Sequence, residues 1–152
     1  MKNIALIVGG SSGIGKASAK KLLLAGDEVI ITGRDLTKLI ATQQELSLFG
    51  KIEVYQIDMY DQDEITKFAE YIDNFPGKIT KLINAAGYFS PKPFAEHDAK
   101  DYDTYMLLNK AFFFMTQAVA KHMCKNKSGS IVNIGSMWAQ QAIKATPSSA
   151  YS

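Results

Sequence analysis

Cysteine is almost missing from this 152-residue chain: Cys124 stands alone, so no disulfide can close within it. A lone thiol of this kind reads as buried or inert rather than as a nucleophile. An excess of one charge is missing too. Seventeen Lys and Arg are scattered among fifteen Asp and Glu, a formal net charge of +2, which argues against a dedicated nucleic-acid or membrane surface. There is no 18-residue apolar run, and the apolar start is too brief for a signal peptide. Together these absences predict a cytoplasmic protein. Only two histidines occur, His97 and His122, and neither has partners at metal-ligand or triad spacing, so no metal site is expected. What is present is a core-forming composition: 47% of residues are hydrophobic, which excludes disorder, and the length suits one domain over residues 1–152.

The stretch Val8-Gly9-Gly10-Ser11-Ser12-Gly13-Ile14-Gly15 falls where a short apolar strand (3–8) gives way to a helix (16–25) that stops at Gly26. A glycine turn at such a junction gathers bare backbone N–H groups at a helix N-terminus, a geometry that favours phosphate. Gly9 permits the tight turn, Gly13 lets a pyrophosphate approach the backbone, and Gly15 allows helix and strand to pack closely. The spacing is GxxxGxG, neither GxGxxG nor the P-loop pattern ending in Lys-Ser/Thr.

Strands and helices then alternate. Strands are predicted at 28–32, 51–57, 81–84 and 131–134, and helices at 35–48, 61–74 and 100–125. The third strand alternates in polarity and belongs near an edge. Asp61 with Glu64 three residues on is a capping-box signal. Five rounds of alternation imply βαβ units and an α/β fold, a doubly wound Rossmann-type parallel sheet in the order 3-2-1-4-5. The order reverses between strands one and four, so a ligand belongs at the carboxyl ends there, beside the glycine turn and Asn84-Ala85-Ala86-Gly87. After strand two the chain reads Gly33-Arg34-Asp35, with no acidic residue at the strand end where a ribose hydroxyl is usually held. A guanidinium suits a 2′-phosphate, which favours NADP(H) over NAD(H), and Asp35 reads as the next helix's cap. Arg34 also has a plainer reading as a solvated surface charge.

Taken in order, these motifs resemble the N-terminal portion of a short-chain dehydrogenase/reductase over essentially all of the chain. Gly9, Ser11, Ser12, Gly13, Ile14 and Gly15 fit the family's TGxxxGxG turn, with Val8 where Thr is usual. Asp58-Met59 resembles the adenine-contacting pair, and Asn84, Ala85, Ala86 and Gly87 the NNAG motif, Ala85 replacing its second Asn. Asn109 falls where the family holds a proton-relay water. Ser136 resembles the catalytic serine, and Tyr151 the start of YxxxK. Ser136 and Tyr151 lie fifteen positions apart, more than the family's usual spacing. The matching Lys would fall three positions beyond Ser152, and the family's last two strands are not in the sequence. The sequence therefore reads as part of a longer protein, and as printed it is expected to be slow for lack of that lysine.

The resemblance implies hydride transfer between a nicotinamide and a carbonyl or alcohol carbon, with reduction of a 3-oxoacyl thioester or a small ketone as plausible substrates. Tyr151 would donate the proton and Ser136 would stabilise developing charge on oxygen. The rival function is a non-catalytic dinucleotide-binding sensor. Plainer readings stand beside each residue: Ser136 as a turn cap, Tyr151 as a terminal aromatic, Asn109 bonded to backbone, Asp58 as a helix N-cap. Trp138 suits a substrate pocket or packing equally. The segment 106–123, with Phe112-Phe113-Phe114, is apolar nearly all round and calls for burial by more chain or by a partner subunit, a homo-oligomer.

Overall fold

The structure, a computed structural model, describes residues 3–88 and 90–137. Five strands, β1 (Ile4–Val8), β2 (Glu28–Gly33), β3 (Ile52–Gln56), β4 (Ile79–Asn84) and β5 (Ser130–Asn133), form one sheet in the order β3-β2-β1-β4-β5. Every pair is parallel. Four helices connect them: α1 (Gly13–Leu24), α2 (Leu36–Leu46), α3 (Gln62–Asp73) and α4 (Ala99–Lys125).

The side-chain period of a strand explains the two cores. Along β1, Leu6 and Val8 point to one face and join Ile30, Phe68, Ile72, Leu82, Leu108 and Met115 under α3 and α4. Ala5 and Ile7 point to the other face and join Ala19, Leu23, Val29, Ile31 and Leu39 under α1 and α2. Because both faces are covered, the central strand β1 is apolar from end to end. Edge strand β3 shows the alternation expected of it, from buried Ile52 to exposed Glu53.

Most element boundaries move by one to three residues from the sequence expectation. The largest difference is at α1, which begins at Gly13 rather than at 16 because Lys16 N–H already donates to the Ser12 carbonyl at 3.0 Å. Gly13 and Gly15 thus lie inside the first helical turn. Strand β4 starts at Ile79, where the Nε2 of buried His122 accepts the Ile79 N–H at 3.3 Å. Two expectations are corrected. Cys124 is exposed on α4, so of the two readings of its thiol, buried or inert, the buried one does not hold. Asp61 and Glu64 do not form a capping box: Asp61 caps α3 by accepting from Asp63 and Glu64 N–H, but the Glu64 carboxylate turns to the Asp58 N–H instead. A capping box does occur, at the start of α4, between Asp98 and Asp101.

Among the described residues, apolar surface is exposed at the β5 edge and on α4. All of β5 is exposed, including Ile131 and Val132, and α4 leaves Phe113 63% and Phe114 39% exposed. No described helix is long and apolar enough to cross a membrane.

Candidate functional site

Parallel strands put all their carboxyl ends on one edge, and the register here makes that edge level. Val8 pairs with Thr32 and with Asn84, Gly33 with Gln56, and Asn84 with Asn133. The segments that leave these ends therefore share that edge: the glycine turn after β1, Arg34 after β2, Asp58 and Met59 after β3, Asn84 to Gly87 at β4, and Ser136 after β5. The strand order reverses between β1 and β4, the place where an open parallel α/β sheet offers a crevice to a ligand.

The glycine turn is anchored from below. Gly9 and Gly10 N–H both donate to the Thr32 carbonyl at 3.0 Å, and Thr42 Oγ1 donates to the Ser11 carbonyl at 3.1 Å. Each glycine then answers a different steric demand. Gly9 has φ +82° and touches the β4 end so closely that a Cβ would meet Ala86 N at 2.5 Å. A Cβ on Gly15 would fall within the van der Waals envelope of the Gly9 carbonyl, with Gly9 C at 2.9 Å. Gly10, which the sequence reading passed over, is buried, and a Cβ there would strike Ile31 Cβ at 2.5 Å. Gly13 is different: its φ is +50°, and nothing lies within 4 Å of where a Cβ would be. One glycine of the turn thus borders open space and the others border protein.

The amino end of α1 is also short of partners. Asp35, Asp61 and Asp98 each accept first-turn N–H groups at the starts of α2, α3 and α4. Ser12 at the start of α1 makes no such side-chain bond, and the first turn carries no acidic residue. The partial positive charge of this helix end therefore meets the crevice uncompensated among the described side chains. Lys16, one turn in, is held at 2.6 Å by Glu45 of α2. Ile14, in the same turn, is 58% exposed.

At the β2 and β3 ends, Arg34 is exposed, and its carbonyl accepts from Gln56 Nε2 at 3.1 Å. Asp35 caps α2 through Lys38 N–H, as expected. Asp58 is half-buried and its Oδ1 accepts from Tyr60 N–H at 3.0 Å. The Met59 side chain turns into the core, so only its backbone faces the edge. Tyr60 was not anticipated. Its phenol is pushed above the ordinary tyrosine range, first by burial and then by Tyr88, with Arg34 pulling the other way. Arg34, Asp58 and Tyr88 are thus all close enough to Tyr60 to influence its ionisation. Tyr60 stands two residues past Asp58, a proximity in sequence that could have flagged it.

At β4, the Ala85 N–H donates to the Val8 carbonyl at 2.8 Å, so replacing Asn by Ala leaves the strand end in register. Asn84 is 4% exposed, and its Nδ2 donates to Thr116 Oγ1 at 2.9 Å and to Asn133 Oδ1 at 2.7 Å. One carboxamide thereby ties β4 to α4 and to β5. Ala86 packs against the core and Gly87 is exposed. Asn109 is exposed on α4, and its Nδ2 donates to the Tyr105 carbonyl at 3.0 Å along its own helix. Ser136 is exposed three residues beyond β5. Tyr151 and Trp138 lie outside the described residues.

The loop from β4 to α4 is held by one carboxylate. Asp101 accepts from Lys92 Nζ and from Asp98 N–H, and the His97 ring stands 3.9 Å away. The Lys92 ammonium, ahead of the Asp98 amide, holds the Asp101 carboxyl below the usual carboxylate range. Among the described residues no group of three or more His, Cys, Asp or Glu is arranged to hold a metal.

Comparison with known proteins bears on this arrangement. A family model described as short chain dehydrogenase matches residues 3–152. Gluconate 5-dehydrogenase of Gluconobacter oxydans is 39% identical over 140 residues, covering 91% of this chain and 55% of that protein. The 3-oxoacyl-(acyl-carrier-protein) reductase FabG of Thermotoga maritima is 33% identical over 138 residues, 88% of this chain and 55% of the reductase. The crystal structure of a metagenomic short-chain oxidoreductase in complex with NADP superposes with a TM-score of 0.87 at 31% identity, over 98% of this chain and 68% of that one. The chain thus spans about half the length of the curated relatives it matches.

Proposed function

The chain belongs to the short-chain dehydrogenase family, and on that premise we propose that its crevice takes a nicotinamide dinucleotide, NADP(H) in preference to NAD(H), for interconversion of a carbonyl and an alcohol. The observation that carries the proposal is the uncapped start of α1 set over open space at Gly13. An anionic diphosphate fits both halves of it: free amides to bind, and room for the phosphates to reach the backbone.

On this reading the amides of Ser11, Ser12, Gly13, Ile14 and Gly15 hold the pyrophosphate. Arg34 holds the 2′-phosphate, as a fork of N–H donors on an exposed side chain suits. Asp58 accepts from the adenine amino group, and Met59 contributes backbone. Asn84, Ala85, Ala86 and Gly87 line the ribose and nicotinamide side. When bound, the cofactor supplies or accepts the hydride. Tyr151 gives the carbonyl oxygen its proton, Ser136 hydrogen-bonds that oxygen, and Asn109 helps hold the water that relays the proton. An unperturbed tyrosine has a pKa of about 10, so Tyr151 needs a neighbouring cation to exchange its proton near neutrality. The relatives are a sugar-acid dehydrogenase and a 3-oxoacyl reductase by name, which supports a small ketone or a 3-oxoacyl thioester as substrate. The exposed Phe113 and Phe114 support a homo-oligomer, and the lone exposed thiol suits a reducing cytoplasm.

Parallel titrations of the protein with NADPH and NADH test the assignment. NADPH is expected to bind at least tenfold tighter. Arg34→Ala should remove most of that preference, since a hydrogen bond to a charged group contributes about 1.5–3 kcal/mol. Tighter binding of NADH by the unaltered protein refutes the cofactor assignment.

A further inference from the structure

We propose that Glu64 is a positioning residue for nucleotide binding: its carboxylate fixes the backbone at Asp58 so that the Asp58 side chain meets adenine. This rests on the nucleotide reading of the crevice above.

The need for such a residue follows from the topology. Strand β3 is an edge, paired with β2 alone. Successive strand amides point to opposite sides. Ile57 N–H points to β2 and donates to the Gly33 carbonyl at 3.0 Å. The next amide, on Asp58, therefore points away from the sheet, where no strand offers an acceptor. Glu64 supplies it. Its Oε2 lies 2.6 Å from Asp58 N, in a half-buried position. Glu64 is available for this because Asp61 alone caps α3, taking the Asp63 and Glu64 amides on Oδ1 at 2.8 and 3.2 Å.

The second constraint is on the side chain itself. Asp58 Oδ1 accepts the Tyr60 N–H at 3.0 Å, a local turn that fixes the carboxylate's orientation. That leaves Oδ2 for an incoming amino group. With its own N–H held by Glu64 and one oxygen held by Tyr60, Asp58 is oriented before any ligand arrives. Preorganisation of this kind raises affinity by removing an ordering cost at the moment of binding. Glu64 touches neither ligand nor reacting atoms, so its effect runs through Asp58 alone and is confined to the adenine half of the site.

The test uses two nucleotides and two variants of the protein. NADPH carries adenine, and reduced nicotinamide mononucleotide does not. Glu64→Ala removes the acceptor, and Glu64→Gln keeps a carbonyl oxygen in its place. Glu64→Ala is expected to weaken NADPH about tenfold while leaving the mononucleotide within about twofold, and Glu64→Gln is expected to restore most of the NADPH affinity. Unchanged NADPH binding in Glu64→Ala overturns the inference. So does an equal loss for both nucleotides, which would mark a general scaffold role, and so does a Gln variant no better than Ala. Unaltered protein that binds neither nucleotide overturns the reading of the crevice, and the inference with it.

Discussion

Gly15→Ala isolates a steric requirement from a conformational one. In a helix interior, Ala is favoured over Gly by about 1 kcal/mol, so propensity alone predicts a more stable protein. The packing predicts the reverse. An added Cβ would overlap the Gly9 carbonyl oxygen and sit 2.9 Å from Gly9 C and 3.1 Å from Gly10 Cα. All of these are backbone atoms, and the Gly9 and Gly10 amides are pinned to the Thr32 carbonyl at 3.0 Å. The turn cannot give way without breaking those bonds, so the cost belongs near the upper end of overpacking, about 3 kcal/mol. The net is a loss of about 2 kcal/mol, equivalent to a fall in Tm of roughly 4–8 °C for a domain of this size. Urea unfolding with a constant m-value and a parallel thermal melt measure it. Gly13→Ala is the matched control: the Cβ meets nothing within 4 Å, and the cost is that of the +50° φ alone, about 1–2 kcal/mol. On the proposed reading of the site, its larger effect should be a weakening of NADPH binding. A Gly15→Ala protein that melts at or above the parent temperature would refute the packing argument.

Two further predictions follow from side chains. Asp101 is held below the usual carboxylate range by Lys92, so its contribution is complete above its unfolded value of about 3.9 and is lost as pH falls through the lower folded value. In a carboxyl-carbon NMR titration Asp101 should change below the usual carboxylate range, and Lys92→Met should raise it toward that range; an unshifted Asp101 in the parent contradicts the ion pair. Asn84→Ala should cost about 1–3 kcal/mol by stripping Thr116 and Asn133 of a buried partner, and it should raise amide exchange in β5 more than in β2. Equal exchange in the two strands would mean that the carboxamide does not tie β5 in place.

The sequence made the architecture readable because its signals were local and repeated. Apolar runs bounded by Gly26, Gly50 and Gly77 marked the strand and helix ends, and Asp35 declared itself a cap by standing just before an apolar helix. The strand order followed from right-handed crossovers, and the level carboxyl edge followed from that. What stayed hidden was tertiary. No spacing shows that Glu64 leaves its own helix end to serve the edge of β3, because Asp61 and Glu64 stand at the spacing of a capping box. Thr42 is an ordinary helical threonine until the fold brings the Ser11 carbonyl to it. Gly10 sits among other glycines, and only the approach of Ile31 gives it a distinct role. Asn109 has the plain backbone bond that was its simpler alternative.

The central placement of β1 has a consequence for how the protein is made. One flank of β1 is satisfied by residues 28–32, which leave the ribosome soon after it, and the other only by residues 79–84. At about 5–20 residues per second, the nascent glycine turn waits roughly 4–15 s for its second wall. Throughout that interval an open strand and the uncapped amino end of α1 are both exposed to whatever the cell offers. The Gly9–Ala86 approach is therefore a late event of synthesis, and an arrested chain that ends before Ala86 should carry the turn without the crevice.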